Sequence, residues 1–540
     1  MKILRGTSVG AGIAVGRVFY LRHDADQIEK VTVTDTSHEH DRVARAKEEA
    51  LAQLAALQAK ALTEIGESEA MIFEVHQMML EDPDYNAMID SIIDDQHVNA
   101  EYAVDATCTD FAQRFAQMDN EYMRERAVDV RDISARLIDC LRGGHSASGP
   151  TEPSIIAAYD LTPSETIQLD KSLILAFILS GGSVTSHTAI LARTMGIPAI
   201  IGLGADLTPD LEGDEVIVDG SAGELYIDPD DHARAVLAKK KAGDDERKAL
   251  LQAMVGQPNV TLDGRSIDVY ANIASPSEID LVRNNDAGGI GLFRSEFIFL
   301  ETKDYPSEAE QFEQYKTVVE AMHGKRVVIR TLDIGADKRI GYFELDEEEN
   351  PALGVRGLRL CLERPGVFQT QLRAILRASA FGKVAIMFPM VASAWEVTAA
   401  VAAVDEAKDS LRAQGVEFDE SVEVGIMIET PAAALISDSL APMVDFFSVG
   451  TNDLTQYTLA VDRQNAAVDR FTDTHHEAVL RLIELAATNA HAHGKWIGIC
   501  GELGADLTLT ERFLRAGIDE LSVSPPRILE LRQHIREIQL

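Results

Sequence analysis

At 540 residues the chain is longer than one hydrophobic core usually organises, so at least two domains are expected. Hydrophobic residues make up 46% of it, as in ordinary globular proteins, and its longest apolar stretch, 173–179, falls far short of the ~20 residues of a membrane span. A formal net charge of −38, spread along the chain, repels nucleic acid and anionic membranes, and four scattered cysteines without a C-x-x-C pair argue against a disulfide framework or a thiolate zinc site.

Residues 1–22 read as short strands with turns. From 37 to 141 apolar residues recur instead at helical spacing, as in Ala50, Leu51, Leu54 and Leu57, then Met71, Ile72, Val75 and Met79, and later Ile133, Leu137 and Cys140. The Gly-, Ser- and Pro-containing linker 142–153 ends that segment, and the β-rich runs SIIAAY, SLILAFIL, PAIIGL, EVIVDG and ELYID follow. This order predicts a helical subdomain inserted into an α/β domain. The stretch 228–258 is charged and helical, with too few apolar positions for a core of its own, and reads as a connector helix. Beyond it eight β-like runs alternate with helical stretches: IDVYANI, GIGLF, VVIRTLDI, VAIMFPMV, VEVGIMIE, VDFFSVG, WIGIC and DELSVS. That alternation predicts a C-terminal (β/α)8 TIM-type barrel, with a doubly wound open sheet as the rival. The expected boundaries are 1–30 with 145–228 for the α/β domain, 31–144 for the insert, 229–258 for the connector and 259–540 for the barrel.

In a barrel, functional groups belong at the C-terminal ends of the strands. Asn272 ends the first run, Arg294 follows the second, Arg330 and then Lys338 come with the third, Glu429 ends the fifth, Asn452 and Asp453 end the sixth, and Cys500 ends the seventh. Taken singly, a strand-end Arg or Glu is equally well explained as a surface ion pair, and a Cys as core filler. Together on one rim they indicate chemistry. Glu429 and Asp453 are a suitable pair for one Mg²⁺, a hard ion that takes few protein carboxylates and leaves positions for substrate oxygens. Arg294, Arg330 and Arg463 offer planar donor forks matched to phosphate or carboxylate, and Lys338 adds a point charge. A basic cluster in so acidic a chain points to phosphoryl transfer, whose transition state spreads charge over three oxygens.

His187 lies in SGGSVTSHTAILART, where Gly181 and Gly182 allow a tight turn and Thr185 or Ser186 can cap the apolar helix that follows. A phosphate on His187 would face backbone N–H groups at a helix start. The other histidines, such as His475 with His476, read as solvated or structural.

The run GGSVTSHTAILARTMGIPAIIG resembles the phosphohistidine motif of Enzyme I of the sugar phosphotransferase system, phosphoenolpyruvate synthase and pyruvate phosphate dikinase. GLFRSEF, RTLDIGADK, NPALGVRGLR, GIMIETPAAA, GTNDLTQY and ICGELGAD are similar to barrel motifs of the same superfamily. The opening GTSVGAGIAVG, with IFEVHQMMLEDP and ERAVDVRDISARL in the insert, selects Enzyme I, and the relatives' nucleotide-binding domain has no room in this length. The resemblance implies that phosphoenolpyruvate phosphorylates His187 and that Glu429 and Asp453 bind Mg²⁺. It further implies that Arg294, Arg330, Lys338, Asn452 and Arg463 hold the substrate, and that Cys500 protonates the enolate. It also implies that the insert docks the phosphocarrier protein HPr and that the barrel dimerises; the small-residue run at the start, unlike the apolar region of an export signal, gives the expectation of a cytoplasmic protein. One departure is that Ser183 and Val184 precede Thr185 where Enzyme I usually has Gly-Arg. Two other readings are a nucleotide-dependent pyruvate–phosphoenolpyruvate interconverter with a partner chain, and a regulatory scaffold that retains the barrel. The acidity adds the expectation of a salt-rich cytosol.

Overall fold

The structure is a computed structural model that describes every residue except 22–27, 65–66, 117–120, 144–148, 183–187, 190–191, 193–195, 301, 303, 336–340, 344, 347 and 464. It consists of two compact units, 1–247 and 248–540.

The first unit is built on a sheet that, among the described residues, has eight strands. These are β1 (Lys2–Arg5), β2 (Thr7–Gly10), β3 (Ile13–Tyr20), β4 (Ser154–Ala158), β5 (Ile174–Leu179), β6 (Ala199–Ile201), β7 (Glu215–Asp219) and β8 (Glu224–Ile227), in the spatial order β1-β8-β7-β3-β4-β5-β6-β2. The central strands β3 to β6 run parallel, and β2, β7, β8 and β1 flank them antiparallel. Both faces are covered, so β4 and β5 read as near-continuous apolar runs rather than alternating ones. Ile155, Ala157, Ala176 and Ile178 face one core, while Ile156, Ala158, Phe177 and Leu179 face the other.

Between β3 and β4 the chain leaves the sheet for α1 (Thr36–Glu64), α2 (Glu67–Glu81), α3 (Pro83–Gln96), α4 (Ala100–Ala116) and α5 (Glu121–Leu141). The expected periodicity is used: Ala50, Leu54, Leu57, Ile133, Leu137 and Cys140 are buried in the core of this bundle, with Leu51, Ile72 and Met79 packed at its edge. Asp82 caps α3 by accepting from the N–H groups of Asp84 and Tyr85, and Pro83 occupies the first turn, where no N–H is needed. His76 is fully buried between α2 and α5, with Nε2 3.2 Å from an Asp129 oxygen and Nδ1 3.8 Å from Asp132. Arg126 closes the network at 2.8 Å from Asp129. After β4 comes the short helix α6 (Pro163–Gln168), opened by a capping box between Thr162 and Glu165. After β8 comes α7 (Asp231–Gln252), whose buried residues are Ala233 and Leu237.

In the second unit each of the eight expected runs becomes a strand: β9 (Asp268–Ile273), β10 (Ile290–Arg294), β11 (Val327–Arg330), β12 (Val384–Phe388), β13 (Glu423–Ile428), β14 (Phe446–Val449), β15 (Trp496–Ile499) and β16 (Glu520–Val523). All neighbours are parallel, and β16 pairs back onto β9 through Glu520↔Asp268 to Val523↔Ala271. That closure decides for the barrel over the open sheet. Alternation along each strand sends Val269, Ala271, Phe447, Val449, Ile497, Ile499, Leu521 and Val523 outward into the helix layer. Leu292, Val328, Ala385, Met387, Met427, Phe446 and Cys500 fill the lumen, with Trp496 stacked on Phe446 at 4.4 Å between ring centroids. The lumen is therefore packed, and its upper layer forms the floor of the candidate site. No described helix in either unit is long and apolar enough to cross a membrane.

Candidate active site

The C-terminal rim of the barrel gathers most of the residues singled out in the sequence. Glu429 follows β13 directly and is fully buried. Its Oε1 accepts the N–H of Met390, and its Oε2 has no hydrogen-bond partner among the described residues. Met390 presents that N–H from the left-handed region, φ +59°, an uncommon conformation for a side-chain-bearing residue and one met most often where the backbone serves a site. Burial pushes the Glu429 carboxyl pKa well up, and the nearby Asp453 and Asp333 charges add to the shift against the opposing pull of Arg330 and Arg356.

Asn452 and Asp453 stand one step away from where the sequence put them. β14 ends at Val449, so both residues lie in the first turn of the helix Thr451–Leu459 rather than on the strand. Asp453 is buried there and is held by two arginines, Arg356 at 3.2 Å and Arg463 at 3.4 Å. Arg330, at the end of β11, reaches Glu296 at 2.6 Å and Asp333 at 2.9 Å. Arg356 also donates to both oxygens of Asp333, at 3.1 and 3.2 Å. The result is an unbroken line of alternating charge: Glu296, Arg330, Asp333, Arg356, Asp453, Arg463. Burial opposes the charge on Arg330 and Arg356, but the surrounding carboxylates outweigh it and hold both guanidinium groups ionised. Within such a line each charge compensates its neighbours, and removing one member costs roughly 3–5 kcal/mol by leaving another buried and unpaired.

Cys500 follows β15 and is 2% exposed. Burial pushes its thiol pKa up to about 12, so it carries its proton throughout the neutral range. Gly501 lets this loop close onto the Asp453 helix, because a Cβ there would stand 2.0 Å from Thr451 Oγ1. Across the same contact Asn452 Nδ2 donates to Glu502 Oε1 at 3.2 Å, and the Glu502 N–H donates to Asn452 Oδ1 at 3.2 Å. Asn272 acts as a strap rather than a free rim group, since its amide donates to the carbonyls of Cys500 and Ser522 at 2.9 and 3.1 Å. Arg294 is half-buried at the end of β10.

His187 and Lys338 lie outside the described residues, as do Ser183 and Val184. Before His187, Gly182 has φ +89°, the left-handed turn that the Gly-Gly pair was expected to supply, and the Gly181 N–H donates to Tyr159 O at 2.8 Å.

Arg356, Asp333 and Glu296 were not singled out in the sequence, because none of them ends a strand. The available signal was Gly357, which follows Arg356 within NPALGVRGLR and has φ +58°. A Cβ on it would meet Met390 Cγ at 2.9 Å and Asp333 Oδ1 at 3.2 Å.

Among the described residues no group of three or more His, Cys, Asp or Glu side chains is arranged to hold a metal unaided. The donor set of Glu429 and Asp453 nevertheless fits a hard divalent cation. An unpartnered, buried carboxylate oxygen stands beside further carboxylates, and one positive charge there would relieve their mutual repulsion.

Three family descriptions match the chain: "PEP-utilising enzyme, N-terminal" over residues 5–126, "PEP-utilising enzyme, mobile domain" over 150–223, and "PEP-utilising enzyme, PEP-binding domain" over 248–540. The chain is similar to a phosphoenolpyruvate-protein phosphotransferase of Priestia megaterium, 42% identical over 540 residues that span 99% of this chain and 94% of that one. The enzyme of the same name from Lactococcus lactis subsp. cremoris is 42% identical over 541 residues, 99% of this chain and 94% of the other. That of Bacillus subtilis (strain 168) is 41% identical over 544 residues, 100% and 95% of the two chains. With matches that run from the first strands through the whole barrel, the chain belongs to the PEP-utilising enzymes, among the phosphoenolpyruvate-protein phosphotransferases.

Proposed function

We propose that the chain takes phosphoryl from phosphoenolpyruvate at the barrel rim, carries it on His187, and passes it to a histidine of the phosphocarrier protein HPr, starting a sugar phosphotransferase relay in the cytoplasm. The observation that carries this reading is the line of alternating charge on the rim, ending at Arg463, with the unpartnered Glu429 oxygen and the protonated Cys500 beside it.

Arg294, Arg330 and Arg463, with Lys338 and Asn452, hold the phosphate and carboxylate of the substrate. Asp333 and Arg356 fix Arg330 and Asp453 in place, so the donors do not reorganise as charge develops. Glu429 and Asp453 would hold Mg²⁺, which when bound draws negative charge from the phosphoryl oxygens. The imidazole of His187 attacks phosphorus; the P–N bond forms as the P–O bond breaks, and the electron pair leaves on the enolate oxygen. Cys500 then gives its proton to the methylene carbon, and pyruvate results. Helices α1 to α5 are the docking site for HPr, and the barrel is the surface through which two copies of the chain pair.

Mass spectrometry after exposure to phosphoenolpyruvate and Mg²⁺ tests the reading. The wild type should gain one phosphoryl group on His187 and release pyruvate, and addition of HPr should remove the group. His187→Ala should gain none while the barrel stays folded. Phosphorylation of that variant at wild-type stoichiometry would overturn the carrier assignment.

A further inference from the structure

Beneath Cys500 the lumen holds a second carboxyl group that the proposed reaction does not use. Glu520 begins β16 and points into the barrel, since Leu521 and Val523 point out. It is 2% exposed. Its carboxyl occupies the space that side chains on two glycines would fill: a Cβ on Gly498 would stand 1.8 Å from Oε2, and one on Gly291 2.4 Å from Oε1. The same Gly291 position lies 2.5 Å from Ser522 Oγ. Glu520 Oε1 and Ser522 Oγ are both buried without a hydrogen-bond partner among the described residues, which is unusual in a packed interior.

The register shows where the carboxyl leads. Gly498 pairs with Glu520 on one side and with Ser448 on the other, so the carboxyl lies across the bare glycine in the direction of Ser448. The Ser448 hydroxyl in turn lies beside the Cys500 thiol. Asp268, Asp519, Tyr270 and Arg326 are the charged and titratable groups that face Glu520 from the adjoining strands and loops. Asp268 pairs with Glu520 in the sheet and is exposed, which gives the column a contact with solvent at the opposite end of the barrel. Burial first, and Asp268 next, raise the Glu520 pKa well above the usual carboxylate range, which favours its protonated form.

A Cys500 that has protonated the enolate is left as a thiolate in a nearly dry position, where charge is costly. We propose that Glu520 returns a proton to Cys500 through the Ser448 hydroxyl, acting behind the thiol without touching the substrate. The proposal rests on the assignment of Cys500 as the acid. In the transfer the Ser448 O–H breaks as the Cys500 S–H forms, and the Glu520 O–H breaks as the Ser448 O–H is restored. The Glu520 carboxylate left beside Arg326 then takes a proton from solvent on the Asp268 side, so each cycle consumes one solvent proton.

Two exchange rates, measured on the full chain with Mg²⁺, phosphoenolpyruvate and pyruvate in D₂O, test this. Passage of carbon label from pyruvate into phosphoenolpyruvate needs only that Cys500 give and retake a proton. Entry of deuterium into the pyruvate methyl group needs that proton to exchange with solvent. Glu520→Gln and Ser448→Ala should each keep carbon exchange within about threefold of wild type and slow deuterium entry by about tenfold or more, within the range a positioned proton donor supplies. Loss of both exchanges in parallel would mark Glu520 as structural, and retention of both would remove it from the proton path; either overturns the proposal. A wild type that exchanges no carbon would instead overturn the functional reading beneath it.

Discussion

Arg356 enters the rim from the loop ahead of the helix Leu358–Glu363 and joins Asp333 to Asp453, 97 positions further along the chain. A lysine at this position keeps the charge but cannot span two carboxylates with one planar fork. Arg356→Lys should therefore lower kcat/KM for phosphoenolpyruvate by about 10–100-fold, the usual cost of disturbing groups that orient a site. Steady-state pyruvate formation measures it, and an unchanged kcat/KM would show that the bridge is dispensable. Glu429→Gln should remove most of the Mg²⁺-dependent turnover in the same assay, because an amide is a poor ligand for a hard ion. Cys500→Ala should fold and bind substrate but turn over about 10²–10⁴ times more slowly, with water protonating the enolate on either face. Retention of both the rate and the facial selectivity in D₂O would make Cys500 simple packing. Residues that end strands were legible because barrel topology alone assigns them to one rim. Arg356 was not, since its place depends on a contact far along the chain. Glu520 was passed over for a related reason: DELSVS reads as any short strand, and only the register shows that its acidic residue points inward over a glycine.

At the scale of elements, the insert buries a polar cluster of His76, Asp129 and Asp132 between α2 and α5. Burial raises the cost of charge on Asp129, but His76 and Arg126 outweigh it and hold its carboxyl pKa below the ordinary aspartate value. A carboxyl whose pKa is depressed on folding stabilises the fold above its unfolded pKa, and the contribution disappears as the pH falls through the lower, folded value. Asp129→Asn should thus lower the melting temperature at pH 7, where a hydrogen bond to a charged group is worth roughly 1.5–3 kcal/mol, and the difference from wild type should shrink below pH ~3.8. Equal differences at pH 7 and pH 3 in calorimetric scans would contradict this. Removal of 37–141 should spare phosphorylation by phosphoenolpyruvate and stop transfer to HPr, as the insert has its own core. The replacement linker must run back along a strand, because β3 and β4 are parallel. Helical periodicity made α1 to α5 legible, whereas the sheet order β1-β8-β7-β3-β4-β5-β6-β2 was not, since each pairing there depends on which face another element covers.

Across the whole molecule the net charge of −38 opposes compaction through self-repulsion. If a salt-rich cytosol is its setting, molar KCl should raise both the melting temperature and activity, since screening then acts over ~3 Å. A melting temperature that falls steadily with added KCl would reject that setting. The closure of the barrel has a consequence of another kind. The strand that joins β15 to β9 comes last in the order of synthesis, about 250 residues after β9. A nascent chain that has emitted seven barrel strands therefore carries two unsatisfied edges and an open lumen until Glu520–Val523 emerges. The first unit, whose sheet is complete before residue 248, is free of that delay. During translation the barrel is thus the half exposed to aggregation, and a ribosome stalled before β16 should present a client for chaperones, while one stalled after α7 should already display a protease-resistant fold.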